Sequence, residues 1–283
     1  MRTLQQFDLV DTTLRDGEQT AGIVFSAEEK LNIVRTLSDM GIHWIEAGIP
    51  AMGEMEQRLL KEMLGMKLNT NLIAWNRAVI EDVDSSMRCG FSYIHVSVPV
   101  SDFNIQYKLK RDRAWVLSRL EQTLQYVKAN GGVILLGAED ASRADKEFFL
   151  RIAELGYQYN AIRIRYADTV GCLNPFRAKE EFDYLVKRCA LPIEFHGHND
   201  FGMAMANSVA AYLSGIEFVS ATSTGIGERA GNACLEEMVN TLDKLYGYHM
   251  DIQTEKMNQL TRTVERASGR KIYKFKPAIG MMA

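Results

Sequence analysis

Residues 192–200 read PIEFHGHND, and residues 202–215 read GMAMANSVAAYLSG. The first is a short apolar run that turns polar at its end, too short for a helix and opened by proline. The second carries apolar and small residues at helical spacing and stops at Gly215. Together they predict a strand followed by a helix with a glycine cap. The same unit recurs on both sides of this stretch. FDLVDTT (7–13) precedes SAEEKLNIVRTLSDMG (26–41), HWIEAGI (43–49) precedes GEMEQRLLKEMLG (53–65), and LNTNLIAW (68–75) precedes RAVIEDVDSSMRCG (77–90). FSYIHVSV (91–98) leads to a helix through 111–129, VILLGAED (133–140) to KEFFLRIAELG, and AIRIRYADT (161–169) to PFRAKEEFDYLVKRC. After the opening unit, IEFVSATST (216–224) leads to NACLEEMVNTLDKLYG (232–247).

Eight alternating units predict a parallel sheet, and eight parallel strands close into an α/β TIM barrel, (β/α)8. An open doubly wound sheet shares the local pattern, but its GxGxxG signal after the first strand is missing; RDGEQ stands there instead. Helix ends are expected at Gly41, Gly65, Gly90, Gly156, Gly215 and Gly247, and Ser26 with Glu29 fits a capping box. The barrel is expected over 1–250, with a short C-terminal helix and the start of a linker over 251–283. Apolar residues in that tail (Met257, Leu260, Val264, Ile272, Tyr273, Phe275, Ile279, Met281, Met282) call for a surface to cover them.

Composition sets bounds but names no activity. With 47% apolar and 24% charged residues, the chain suits a soluble globular enzyme. A formal net charge of -3 offers no electrostatic attraction for nucleic acid or an anionic membrane. No signal-like or membrane-spanning run stands out, and Cys89, Cys172, Cys189 and Cys234 form no CxxC, so reduced thiols and a cytoplasmic location are expected.

In such a barrel, chemistry collects where the strands end. Those ends are polar here: Arg15–Asp16, Glu46, Asn76, His95, Glu139–Asp140, Asp168–Thr169, His196–His198 and Glu228–Arg229. Residues two apart in a strand face the same side, so His196 and His198 present two imidazoles to one point while Gly197 keeps the other face small. Asp16, at the exit of the first strand, reaches the same point in a closed barrel. Two imidazoles with oxygen ligands suit Zn, Mn, Fe, Co or Mg, and a cation with open positions would polarise a carbonyl. Arg15 would stabilise charge on that carbonyl oxygen, or else form an ion pair with Asp16 or Asp11. The glycine-rich loop 223–237 resembles a phosphate cradle without the P-loop Lys-Ser/Thr, and by spacing Asn232 reads as a helix N-cap before it reads as a ligand.

Six motifs occur in order: DTTLRDGEQ (11–19), WIEAGIPAMGE (44–54), AEDASR (138–143), ADTVG (167–171), HGHNDFGMA (196–204) and GIGERAGNA (225–233). From about residue 7 onward the chain resembles the metal-dependent acyl-CoA-condensing barrels, the 2-isopropylmalate, citramalate and homocitrate synthases, with 3-hydroxy-3-methylglutaryl-CoA lyase more distant. IPAMGE, AEDASRAD and GERAGNA look most like the homocitrate synthases of nitrogen-fixing bacteria. The resemblance implies a divalent metal held by Asp16, His196, His198 and Asn232, with Arg15 stabilising charge on the keto oxygen. It makes Glu139 catalytic and places His95, Thr169, Glu46 and Arg143 at the substrate. The implied reaction condenses acetyl-CoA with a 2-oxo acid, foremost 2-oxoglutarate to homocitrate. Isopropylmalate or citramalate specificity, a lyase and a non-catalytic partner are the alternatives.

Two departures shape the expectation. Full-length synthases continue into a C-terminal domain with a His-x-x-Gly-x-His-like motif, and YGYHMD around His249 does not resemble it. The resemblance therefore implies a homo-oligomer, a second polypeptide supplying that motif, or both. The lysine-pathway homocitrate synthases also place an arginine on the fifth strand, where VILLG stands here. Arg77, Arg143, Arg163 and Arg165 are the candidate replacements.

Overall fold

The structure, a computed structural model, describes residues 7–272 and residue 276. Eight strands form one closed parallel barrel in chain order: β1 (Asp8–Asp11), β2 (Trp44–Gly48), β3 (Asn71–Arg77), β4 (Tyr93–Pro99), β5 (Val133–Glu139), β6 (Ile164–Asp168), β7 (Ile193–Gly197) and β8 (Phe218–Ala221). Closure runs from Asp8 opposite Phe218 to Asp11 opposite Ala221. Because β1 is short, the seam has a second fastening: the Tyr248 hydroxyl accepts from Phe7 N at 3.2 Å and donates to Phe7 O at 2.9 Å.

The outer ring is α1 (Ala27–Met40), α2 (Glu54–Gly65), α3 (Ile80–Cys89), α4 (Arg113–Ala129), α5 (Lys146–Gln158), α6 (Pro175–Leu185), α7 (Ala204–Ser214) and α8 (Leu235–Tyr246). Ser26 and Glu29 form the expected capping box at α1. Gly41, Gly90, Gly215 and Gly247 cap their helices in the left-handed conformation. Two expected caps fall elsewhere. Gly65 is the last residue of α2, and Gly156 lies inside α5, where its missing β-carbon makes room for the Leu136 side chain.

A ninth helix, α9 (Thr254–Ser268), packs along α1 and buries Met257, Leu260 and Val264. That part of the apolar tail is covered by the chain's own barrel. Tyr273, Phe275, Ile279, Met281 and Met282 lie outside the described residues. No described helix is long and apolar enough to cross a membrane.

The barrel interior is layered. At its floor Val10, Ile73 and Leu135 pack with Trp44, Tyr93 and Phe218, and the Arg163 guanidinium lies 4.4 Å from the Trp44 ring centre and 4.6 Å from that of Phe218. Above the floor the filling is ionic. Glu194 takes Arg163 Nε at 2.7 Å, Arg165 Nε at 2.6 Å and the Ser220 hydroxyl at 2.5 Å, while Glu46 takes Arg165 Nη2 at 2.6 Å and Arg15 Nε. Burial alone would raise both carboxyls, but the arginines hold Glu194 down at about 2 and Glu46 well below the usual carboxylate range. This layer supports the mouth from beneath.

Candidate functional site

At the C-terminal mouth, Asp16 follows β1, His196 sits near the end of β7 and His198 just beyond it. Asp16 Oδ2 is 2.9 Å from His196 Nε2 and 3.3 Å from His198 Nε2, and the three side chains can place their ligand atoms within 4.8 Å of one another. All three are buried. Gly197 between the histidines has a packing reason: a β-carbon there would come within 2.8 Å of the Phe195 ring.

The electrostatics suit a cation. Burial pushes the Asp16 carboxyl up, but Arg15 and the two imidazoles hold it well below the usual carboxylate range. The two histidines diverge. Burial dominates at His196 and lowers it to about 4 against the pull of Asp16; at His198 the Asp16 carboxylate outweighs burial and the net shift is upward. His198 Nδ1 lies 3.1 Å from the Asp168 carbonyl. Donation to that oxygen fixes the tautomer and bares Nε2, as ligating histidines require. His198 Nε2, His196 Nδ1 and Asn232 Oδ1 are buried without hydrogen-bond partners. The donor set that converges is one carboxylate and two imidazoles, which suits a divalent metal.

Asn232 is not the cap that spacing favoured. Helix α8 starts at Leu235, and Asn232 pairs as a β-bridge with His198 while its Nδ2 donates to Ile226 O at 3.1 Å. Its loop cradles the Asp16 side rather than a phosphate, since Glu228 N donates to Asp16 Oδ1 at 3.2 Å. Gly227 makes that approach feasible; a β-carbon there would overlap Asn232 Nδ2 at 2.0 Å.

A cavity of about 270 Å³ opens next to this cluster, and Arg15, Asp16, His95, Glu139, Thr169, His196 and His198 all line it. His95, on β4, is buried with neither ring nitrogen partnered, and burial lowers it to about 3, so the ring is neutral at physiological pH. Thr169 Oγ1 accepts from Asp140 N at 2.8 Å. Two expected substrate contacts lie elsewhere. Glu46 is fully buried behind Arg15 as an ion-pair partner, because its two oxygens are taken by Arg15 and Arg165. Arg143 is held by Asp140 at 2.6 Å and stacks on Phe103, outside the cavity lining. Of the other arginine candidates, Arg77 pairs with Asp82 at the outer end of β3 and Arg163 is in the floor; Arg165 lines the cavity with both glutamates attached. Asn76, polar at a strand end, bonds to Ser86 and to backbone and is not part of the lining.

The residue that sequence reasoning missed is Lys108, which lines the cavity and contacts Glu139 at 2.8 Å. Its signal was the basic run KLKR (108–111) after β4, overshadowed by the helix that follows.

Comparison with known proteins agrees with this geometry. A 2-isopropylmalate synthase of Caldanaerobacter subterraneus is 42% identical over 96% of this chain and 71% of its own length. A homocitrate synthase subunit alpha of Clostridium pasteurianum is 42% identical over 85% of this chain and 89% of its own. In three dimensions the HMG-CoA lyase of Bacillus subtilis superposes with a TM-score of 0.87 over 100% of this chain and 99% of that one; at 18% identity it speaks for the fold alone. The HMGL-like family model matches residues 6–264, a span holding every strand of the barrel together with Asp16, His196, His198 and Asn232, and the chain belongs to the HMGL-like family.

Proposed function

We propose that this barrel carries a divalent-metal-dependent synthase that condenses acetyl-CoA with a 2-oxo acid, with 2-oxoglutarate giving homocitrate as the first choice. The observation that carries the reading is the buried Asp16–His196–His198 cluster, set beside Arg15 on a cavity large enough for a small acid. Relatives named homocitrate and 2-isopropylmalate synthases support the reaction class and leave two pocket specificities in competition.

Asp16, His196 and His198 would hold the metal, with Asn232 Oδ1 as a further ligand. When bound, it supplies Lewis-acid polarisation of the oxo acid. The remaining work falls to side chains. Glu46 fixes Arg15 through Nε, leaving the Nη end of the guanidinium near Gln19, Asp16 and the cavity, where negative charge grows on the keto oxygen during attack. Neutral His95 offers a hydrogen bond to the oxo acid without adding charge. Thr169 sits against its other side, and Glu139 faces the acetyl group. The chain would work as an oligomer or with a second polypeptide that contributes a histidine for proton transfer, an arrangement consistent with a relative named as a subunit.

The test is CoA release from acetyl-CoA with Mn or Mg across several 2-oxo acids, run alone and with a candidate completing polypeptide. Release with 2-oxoglutarate above the others is expected. Release only with 2-oxoisovalerate or pyruvate would reassign the substrate, and no release with any acid would overturn the synthase reading.

A further inference from the structure

Among the described residues, three arginine and lysine side chains line the cavity: Arg15, Arg165 and Lys108. Arg165 is buried and divided between Glu46 and Glu194, and Arg15 is fixed by Glu46 beside Asp16. Lys108 differs from both. Its side chain is 63% exposed, and its ammonium meets Glu139 Oε1 at 2.8 Å, in reach of anything entering the cavity.

The backbone that delivers Lys108 is unusual. Asn104–Lys108 forms a π-helical turn, a form found disproportionately at functional sites, and Lys110 just beyond it has a φ of 56°, which a β-carbon disfavours. The turn is tied to the strand end that carries Glu139. Val100 N donates to Glu139 O at 3.0 Å, the Ser101 hydroxyl donates to the Asp140 carboxylate, and the same hydroxyl accepts from Asn104 N at 3.2 Å. Lys108 and Glu139 are thus presented as a pair by connected backbone.

We propose that Lys108 is a catalytic residue, acting with Glu139 to convert the acetyl thioester into its enolate. This rests on the acetyl-CoA reading above. In a thioester, the methyl carbon and carbonyl oxygen are about 2.4 Å apart by ordinary bond lengths. A carboxylate oxygen and an ammonium nitrogen held 2.8 Å apart can therefore meet both at once. Glu139 takes a methyl proton, the C–H electron pair becomes the C=C bond, and the carbonyl π pair moves to oxygen, where Lys108 donates a hydrogen bond to the new negative charge. When the enolate carbon attacks the keto carbon, the thioester carbonyl reforms and the charge passes to the keto oxygen beside Arg15. The proton held by Glu139 is then available to neutralise it. Arg165 is buried between two glutamates and Arg15 lies beside Asp16, so Lys108, mostly exposed and paired with Glu139 itself, is the cation placed for this oxygen.

Lys108→Met and Lys108→Arg test the proposal through kcat, KM for each substrate, and deuterium uptake into the acetyl-CoA methyl group in D2O with the oxo acid present. Removing one donor from an oxyanion site lowers kcat by roughly 100-fold or more. That loss is expected in Lys108→Met, with deuterium uptake falling in parallel, KM for the oxo acid within about threefold, and partial recovery in Lys108→Arg. Melting temperature should stay near wild type, since the side chain is mostly exposed. A Lys108→Met enzyme with wild-type kcat and exchange, or with a loss confined to KM, overturns the proposal and leaves the synthase reading standing. A wild-type protein inactive with every oxo acid, both alone and with the completing polypeptide, overturns both.

Discussion

In the middle of the barrel, Glu46 and Glu194 have each carboxylate oxygen paired, to Arg15, Arg163, Arg165 and Ser220. At the mouth, His196 Nδ1, His198 Nε2 and Asn232 Oδ1 are equally buried and have no hydrogen-bond partner. Both regions are polar groups withdrawn from water, which is costly unless they are matched. The matched layer is framework. The mouth instead gathers two imidazoles on one carboxylate, a set of donors that a cation would complete. Arg163 marks the boundary between the two rules: its Nη groups lack hydrogen bonds but lie between the Trp44 and Phe218 rings, which meet the charge as aromatic faces do.

The contrast can be broken most severely at Glu194. Glu194→Ala leaves Arg163 and Arg165 buried with an acceptor removed, and uncompensated buried charge costs about 3–5 kcal/mol. For a chain of this size that is a drop of roughly 10 °C in melting temperature, read by calorimetry. His196→Ala in the metal-free protein should cost less, because it removes one contact to Asp16, which keeps Arg15, His198 and the Glu228 backbone N–H. Equal losses at both positions would erase the distinction.

Acid reaches the same framework reversibly. Glu194 titrates at about 2 in the fold against an ordinary 4.5, so the unfolded chain binds its proton first as pH falls. Its contribution is present above about 4.5 and is lost as pH falls toward about 2, a change of about 3 kcal/mol. Melting temperature followed through that window should fall in the wild type and fall less steeply in Glu194→Gln.

At the mouth the ligand should do the stabilising. Mn at about 100 times its Kd should add about 2.7 kcal/mol to the wild type, reversed by chelation, and nothing to His196→Ala. Smaller still, Asn232→Ala should weaken metal binding roughly tenfold while Asp16, His196 and His198 keep the site, as for losses at the edge of a coordination sphere. Isothermal titration separates that outcome from a purely structural role, which would lower the melting point at unchanged affinity.

The barrel was legible because its signals are local. Strand and helix periods, the capping box at Ser26 and the glycine stops at Gly41, Gly90, Gly215 and Gly247 each lie within a few residues. His196 and His198 were legible as a pair for the same reason. What escaped depends on register between distant strands. Arg165 and Glu46 are 119 positions apart, and nothing near either says that they bind each other rather than a substrate. Asn232 is likewise drawn away from the helix start by the bridge it makes with His198, whereas Arg143 is a local case, held by Asp140 three residues away. Lys108 escaped because a π-helical turn has no period to read.

Whether Asp16, His196 and His198 hold a metal is tested most directly by titration of Mn into the metal-free chain and into His196→Ala. One Mn per wild-type chain, with binding abolished in the variant, is the predicted result. A wild type that takes up no metal, or a His196→Ala protein that binds as the wild type does, would contradict it.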